Sequence, residues 1–306
     1  MEYKDNNFKI EFMIIGAPKS ATTWIAKCLD EHSDLSVPNL RPEYFLDKKN
    51  SIEKYKDGFK KSLPNQIKGM DFPNFLFFGE KVINKIKNHN LDMKLIVCLR
   101  NPIERAYSHY LFSRSMGNEY RKTFEKALEE NELPYFIEKG SYYKERGFYY
   151  KQIKKYLEYF PFENFLILIY EDIKKDPKGF IQGIYKFLNV DANFETQRFY
   201  HKYNYTTKRK FIIPFLNNVF ARGRDFLKNS KFKIIRKFFA FLIRTKIANI
   251  FEKIARANSR RRYFLESKPL EKPVMNSLTR EYLLSLYKTD IADLEKLINR
   301  DLSFWK

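Results

Sequence analysis

The stretch from Phe8 to Leu29, FKIEFMIIGAPKSATTWIAKCL, constrains the fold of this chain more than any other part of it. An apolar run over Phe8–Ile15 stops at Gly16, small residues follow, and helix-like spacing starts at Thr22 and continues to Leu29. A strand that feeds a tight turn of small residues and then a helix is one βα unit. The amides at such a helix start point at whatever sits over them and favour an anion.

Two further apolar runs repeat the pattern. Lys94–Leu99 (KLIVCL) is stopped by Arg100-Asn101-Pro102 and followed by helical spacing over Ile103–Ser113, with Pro102 suited to a first turn. Phe165–Tyr170 (FLILIY) is followed by Asp176-Pro177, a helix start, and by Gly179–Leu188. Short continuous apolar strands alternating with helices predict an α/β fold, with a central parallel sheet flanked by helices. Leu278–Leu297 reads as an amphipathic helix that closes the domain. Asp47–Leu76, with Pro64 and Pro73, reads as a polar loop. One domain over 1–306 is expected, with a basic helical insertion over 211–262 that is a candidate lid.

The insertion carries most of the charge. The chain has 58 Lys and Arg against 37 Asp and Glu, a net of +21. Between Lys202 and Arg262 there are 18 basic residues and two acids, Asp225 and Glu252, so a net of +16 lies in about a fifth of the chain. Such a block attracts polyanions: nucleic acid, anionic lipid or an acidic sugar. Its apolar stripe, Ile234, Ile235, Phe238, Leu242, Ile247, Ile250, Phe251 and Ile254, is compatible with peripheral contact to an anionic membrane or with ordinary core packing under lysine stems. No known nucleic-acid reading module accompanies it, which makes a nucleic-acid partner the weaker alternative.

The N-terminal apolar stretch is only about six residues, shorter than a signal peptide requires, and no window approaches the length of a membrane span. Cys28 and Cys98 each lie in an apolar run without metal or disulfide spacing. These features set the expectation of a cytoplasmic protein.

Within Gly16-Ala17-Pro18-Lys19-Ser20-Ala21-Thr22-Thr23-Trp24, Gly16, Ala17, Ser20 and Ala21 are small enough for the backbone to approach a phosphate. Thr22 and Thr23 add hydroxyls, and Lys19 a positive charge. The triphosphatase pattern G-x-x-x-x-G-K-[ST] would put its second glycine and its lysine at 21 and 22, where this chain has Ala21 and Thr22. The lysine stands three residues earlier, and no apolar strand ending in Asp offers a partner for magnesium. Metal-free anion transfer fits better than a nucleotide kinase. In Leu99-Arg100-Asn101-Pro102-Ile103-Glu104-Arg105-Ala106-Tyr107-Ser108-His109-Tyr110, Arg100 leaves a strand at its carboxyl end and Ser108 follows eight residues on. An arginine fork and a hydroxyl so spaced suit one further phosphate.

With both segments in view, the chain resembles the sulfotransferases that use 3′-phosphoadenosine 5′-phosphosulfate (PAPS). GAPKSATTW is similar to their 5′-phosphosulfate loop, and LRNPIERAYSHY to their 3′-phosphate motif. The resemblance runs from Phe12 to the ending Asp301-Leu302-Ser303-Phe304-Trp305 and is nearest to the carbohydrate, heparan-type branch and its bacterial relatives. It implies a P-loop-type α/β fold, PAPS as co-substrate, no metal, and transfer to a hydroxyl or amine, on a carbohydrate acceptor. It implies that Lys19 stabilises the departing phosphate. Ser20, Ala21, Thr22 and Thr23 would cradle the 5′-phosphate, Trp24 would lie near the adenine, and Arg100 and Ser108 would hold the 3′-phosphate. Lys208 and Arg209 are the implied basic closure over the donor. For the base, the carbohydrate branch carries a glutamate in a K-E-x-x-F-F-like stretch, which points to Glu43 within Leu40–Asp47, with Asp47 in reserve. A second branch uses histidine, for which His89 is the best placed of His32, His89, His109 and His201. Asp71-Phe72-Pro73 matches a stretch that lines the acceptor cleft, where relatives often carry Lys at the place of Asp71.

Overall fold

A computed structural model describes residues 8–40, 45, 53–115, 119, 121–129, 142–200 and 273–306. The backbone sorts into two compact units. The first comprises Met1–Ala106, Lys144–Asn204 and Asn276–Lys306, and the second Tyr107–Tyr143 and Tyr205–Met275.

The first unit is built on five parallel strands: β1 (Phe12–Gly16), β2 (Leu35–Ser36), β3 (Ile67–Asp71), β4 (Lys94–Leu99) and β5 (Phe165–Ile169), in the order β2-β3-β1-β4-β5. Every residue of β1 is buried, because both faces of a central parallel strand are covered. Phe12 and Ile14 of β1, with Ile96 and Cys98 of β4, point into one core cluster with helices α1 (Thr22–Leu29) and α8 (Pro177–Leu188). Side chains alternate along a strand. The intervening Met13, Ile15, Leu95, Val97 and Leu99 therefore face the other side, where they too are fully buried.

The α/β reading stands, with one correction. Asp47–Leu76 is not a loop throughout. It holds a short helix α2 (Glu53–Gly58) and the strand β3, and it runs into a helical turn α3 (Phe75–Phe78). The strand was hidden by its composition, IKGMD, in which only Ile67 and Met70 are apolar. Gly69 explains part of this: a Cβ there would stand 2.1 Å from the Phe12 ring, so the strand that pairs with β1 needs glycine at that point. β2, with two residues, is too short for a pattern to reveal.

Helix boundaries follow the expected chemistry. In α8 the Asp176 carboxylate accepts from the Gly179 amide at 2.8 Å, Pro177 opens the helix, and Asn189 closes it in a left-handed conformation with φ 60°. Helix α9 (Ser277–Ile298) starts on an Asn276 cap to the Leu278 amide at 2.9 Å. Helix α4 (Ile83–His89) ends beside the entry to β1, where His89 Nε2 accepts from the Ile10 amide at 2.9 Å.

The second unit takes in the later turns of helix α5 (Pro102–Ser115) and helix α6 (Phe124–Glu129). Its described core is aromatic: Tyr107 and Tyr110 lie 5.1 and 5.3 Å from the Phe124 ring. A buried Arg121–Glu119 ion pair at 3.2 Å is steadied by the Tyr143 hydroxyl, which donates to Glu119 at 2.9 Å. The insertion over 211–262 lies outside the described residues.

Candidate active site at the carboxyl edge of the sheet

Open α/β sheets bind ligands beyond the carboxyl ends of their strands, and β1 delivers the Gly16–Trp24 loop to that edge. Gly16 has to be glycine: an added Cβ would lie 2.6 Å from the Leu76 Cβ, so helix α3 closes on the bare backbone. The Ala17 amide then donates to the Cys98 carbonyl at 2.8 Å, tying the turn to β4.

Lys19 and Ala21 take left-handed φ of 74° and 62°, with Ser20 between them. Such a conformation costs a non-glycine residue about 1 kcal/mol or more. Alternation of this kind turns successive N–H groups toward one concavity, an anion nest. The Trp24 and Ile25 amides bond to the Ala21 carbonyl at 2.9 and 3.0 Å. Helical geometry leaves those of Thr22 and Thr23 without a carbonyl in their own helix. Ser20 is fully buried and its Oγ has no partner among the described residues. A buried hydroxyl left unmade costs about 1–3 kcal/mol. A phosphate in the loop would supply the missing acceptor, so the residues fit an anionic group there.

Lys19 stands in the same loop, where an anion would favour its charged form. Burial, with the Arg100 guanidinium nearby as a second cause, lowers its ammonium to about 8. Arg100 donates to the Lys19 carbonyl at 3.3 Å and lies over the Tyr170 ring at 4.8 Å. Its own carbonyl accepts from the Tyr149 hydroxyl at 2.8 Å. Next to it, Asn101 Oδ1 caps the Ile103 amide at 3.0 Å, its Nδ2 donates to the Trp305 carbonyl at 3.0 Å, and its amide donates to Glu171 at 3.2 Å. The arginine that leaves β4 is thus held beside the Gly16–Trp24 loop by Lys19, Tyr170, Tyr149 and Glu104, and the residue after it is tied to Trp305. The supports from Tyr149, Tyr170, Glu171 and Trp305 are not visible as a local motif.

Other residues named from sequence fall as follows. Thr22 is buried and Thr23 half-buried at the helix start. Trp24 is 5% exposed; its ring lies 6.0 Å from Phe180 and its Nε1 donates to the Arg198 carbonyl at 2.9 Å, so little more than an edge is left for a base. Ser108 stands on α5 in the portion that belongs to the second unit. Glu43, Asp47, Lys208, Arg209 and His201 lie outside the described residues. His89 is committed to the fold: it is lowered to about 4, chiefly by burial, as its ring accepts the Ile10 amide. His32 has both nitrogens engaged, one with the Asp191 carbonyl at 3.0 Å and the other with the Asp34 amide at 3.1 Å. Cys28 and Cys98 are buried free thiols pushed up by burial, the first to about 12. They behave as apolar core groups.

One sequence inference is overturned. A strand ending in Asp does stand beside the loop: β3 pairs with β1 in the register Ile14 to Asp71, and the Phe72 amide donates to the Ile14 carbonyl at 3.0 Å. Burial raises the Asp71 carboxyl to about 7, with the nearby Thr22 side chain as the smaller, opposing influence.

Residues 9–258 match the family described as Sulfotransferase domain. The chain belongs to the sulfotransferase family. It is 27% identical over 191 residues to human heparan sulfate glucosamine 3-O-sulfotransferase 3B1, covering 61% of this chain and 48% of that one. It is also 27% identical over 195 residues to the mouse enzyme named 3-O-sulfotransferase 5, covering 61% and 56%. The chain thus spans about half the length of these curated relatives. Among solved structures, a sulfotransferase from Alicyclobacillus acidocaldarius superposes with a TM-score of 0.67 at 20% identity, covering 97% of this chain and 99% of that one. That likeness is one of fold. In this sulfotransferase no described helix is long and apolar enough to cross a membrane.

Proposed function

We propose that this sulfotransferase moves a sulfuryl group from PAPS to a hydroxyl or amine of a carbohydrate. The observation that carries the reading is the family-matched Gly16–Trp24 loop, with its left-handed Lys19 and Ala21 and its buried, unpartnered Ser20 hydroxyl. The donor supplies an activated sulfuryl group. The chain's part is to bind, orient and stabilise charge, the terms that dominate phosphoryl transfer as well. The loop amides with Ser20 and Thr23 hold the 5′-phosphate, Lys19 faces the oxygen that leaves with the electron pair, and Arg100 recognises the 3′-phosphate. A carboxylate takes the acceptor's proton. Support for a carbohydrate comes from the relatives' names, which specify heparan sulfate, and from the +16 block over Lys202–Arg262, which suits a polyanionic sugar.

Calorimetric titration tests the donor. The product nucleotide 3′-phosphoadenosine 5′-phosphate is expected to bind tightly with or without magnesium, and ATP weakly. Binding of ATP alone, dependent on magnesium, would replace this reading with a nucleotide kinase.

A further inference from the structure

We propose that Asp71 is the proton acceptor of the transfer, a proposal that rests on the sulfuryl-transfer reading above. As the acceptor oxygen or nitrogen forms its bond to sulfur, its proton passes to the Asp71 carboxylate. The sulfur–oxygen bond to the donor phosphate breaks, and its electron pair leaves on the phosphate oxygen facing Lys19.

Three observations converge on this residue. The first is position. Asp71 is the last residue of β3, at the carboxyl edge, paired with Ile14 two residues before the donor loop begins. The Thr22 side chain, at the end of that loop, is near enough to influence the ionisation of Asp71. The second is an unmet valence. Asp71 Oδ1 is buried and has no hydrogen-bond partner among the described residues, and no ion pair engages the carboxylate there. Buried carboxylate oxygens are normally satisfied; Glu145 and Glu171 are the other carboxylates with one unpartnered among the described residues, and Glu171 already accepts from the Asn101 amide. The third is ionisation. With burial as the largest influence and only the Thr22 hydrogen bond opposing it, the group titrates near neutrality, where a general base combines availability with driving force.

His32 has both ring nitrogens spent on backbone groups, and the accepting nitrogen of His89, Nε2, is taken by the Ile10 amide, so neither is placed to act as the base. Among the described residues no cluster of three or more His, Cys, Asp or Glu is placed to hold a metal.

The test uses the full chain with PAPS as donor and a heparan sulfate oligosaccharide as probe acceptor. Hydrolysis of PAPS is measured alongside, since water then provides the proton and no sugar is needed. Asp71→Asn is expected to lower both rates on the order of 100-fold or more, while 3′-phosphoadenosine 5′-phosphate binds within about threefold of wild type. Asp71→Glu is expected to recover part of the rate. The proposal is overturned if Asp71→Asn keeps both rates within about threefold while Glu43→Gln loses them, which moves the role to Glu43. It is overturned equally if wild-type turnover requires magnesium and chelation reproduces the Asp71→Asn defect, which makes the carboxylate a metal ligand. A wild-type chain that neither binds the 3′-phosphorylated nucleotide nor consumes PAPS overturns the sulfuryl-transfer reading itself, and this proposal with it.

Discussion

Two aspartates in the sheet-bearing unit, Asp290 buried and Asp71 half-buried, have similar electrostatics and opposite surroundings. Asp290, on α9, is raised to about 6, chiefly by burial, and Asp71 to about 7 for the same reason. Asp290 spends its oxygens on the first turn of helix α7 (Tyr149–Leu157), accepting from the Tyr150 amide at 3.0 Å and the Lys151 amide at 3.2 Å. It is a helix cap supplied from across the unit rather than by the preceding residue. Asp71 leaves its buried Oδ1 without a hydrogen-bond partner among the described residues. A displaced pKa therefore does not distinguish architecture from chemistry. The hydrogen-bond inventory narrows the choice, since Asp290 is complete while Asp71, Glu145 and Glu171 each leave a buried oxygen unpartnered among the described residues; position beside the Gly16–Trp24 loop then singles out Asp71.

The comparison breaks most easily at the two aspartates themselves. Asp71→Asn is expected to abolish most turnover and yet leave the fold at least as stable as wild type at pH 8, read as an unchanged or raised thermal midpoint. Asp290→Ala is expected to do the reverse. It leaves two first-turn amides of α7 without an acceptor, at a cost of about 1–2 kcal/mol, with kcat within about twofold of wild type. If Asp290→Ala removes activity while the fold stays intact, the contrast is wrong.

A second effect, smaller, concerns the donor. Arg100→Ala removes a charge-assisted contact of about 1.5–3 kcal/mol. It is expected to weaken binding of 3′-phosphoadenosine 5′-phosphate by roughly 10- to 100-fold and that of the analogue lacking the 3′-phosphate much less. Equal losses in calorimetry would reassign Arg100 to support of the loop through the Lys19 carbonyl.

The smallest effect is in the pH dependence of stability. Asp71 binds its proton more tightly when folded, so its contribution is fully present below pH about 4 and is lost as pH rises through about 7. His89 is depressed to about 4 in the fold, so its contribution is present above its ordinary value of 6.5 and is lost as pH falls toward 4. The two oppose each other across the same window. Asp71→Asn removes the first and is expected to make stability climb more steeply between pH 4 and 7, measured by denaturant unfolding at each pH. An unchanged slope would show that Asp71 ionises in the fold as it does in the unfolded chain.

Much of the site was legible along the chain, and the reason is local. The donor loop is one continuous segment whose glycine, small residues and following helix all follow from strand–turn–helix chemistry, and Arg100 lies next to a proline that ends a strand. Asp71 was noticed only as part of a cleft-lining Asp-Phe-Pro, because IKGMD has neither the apolar continuity nor the alternation that announces a strand. Its glycine serves the Phe12 ring and its aspartate serves the site. The His89 reading failed for a related reason: the Ile10 amide that occupies its ring is 79 residues away in sequence.

The amino-acid sequence alone determined the βα units, the parallel sheet, the phosphate loop and the excess of charge near Lys202–Arg262. Each of those depends on the order and spacing of neighbouring residues. Only the tertiary structure decided which buried polar groups are finished and which are open. Whether Asp290, Asp71, Ser20 or His89 finds a hydrogen-bond partner depends on strands and helices that meet from distant parts of the chain, and no local pattern encodes that meeting.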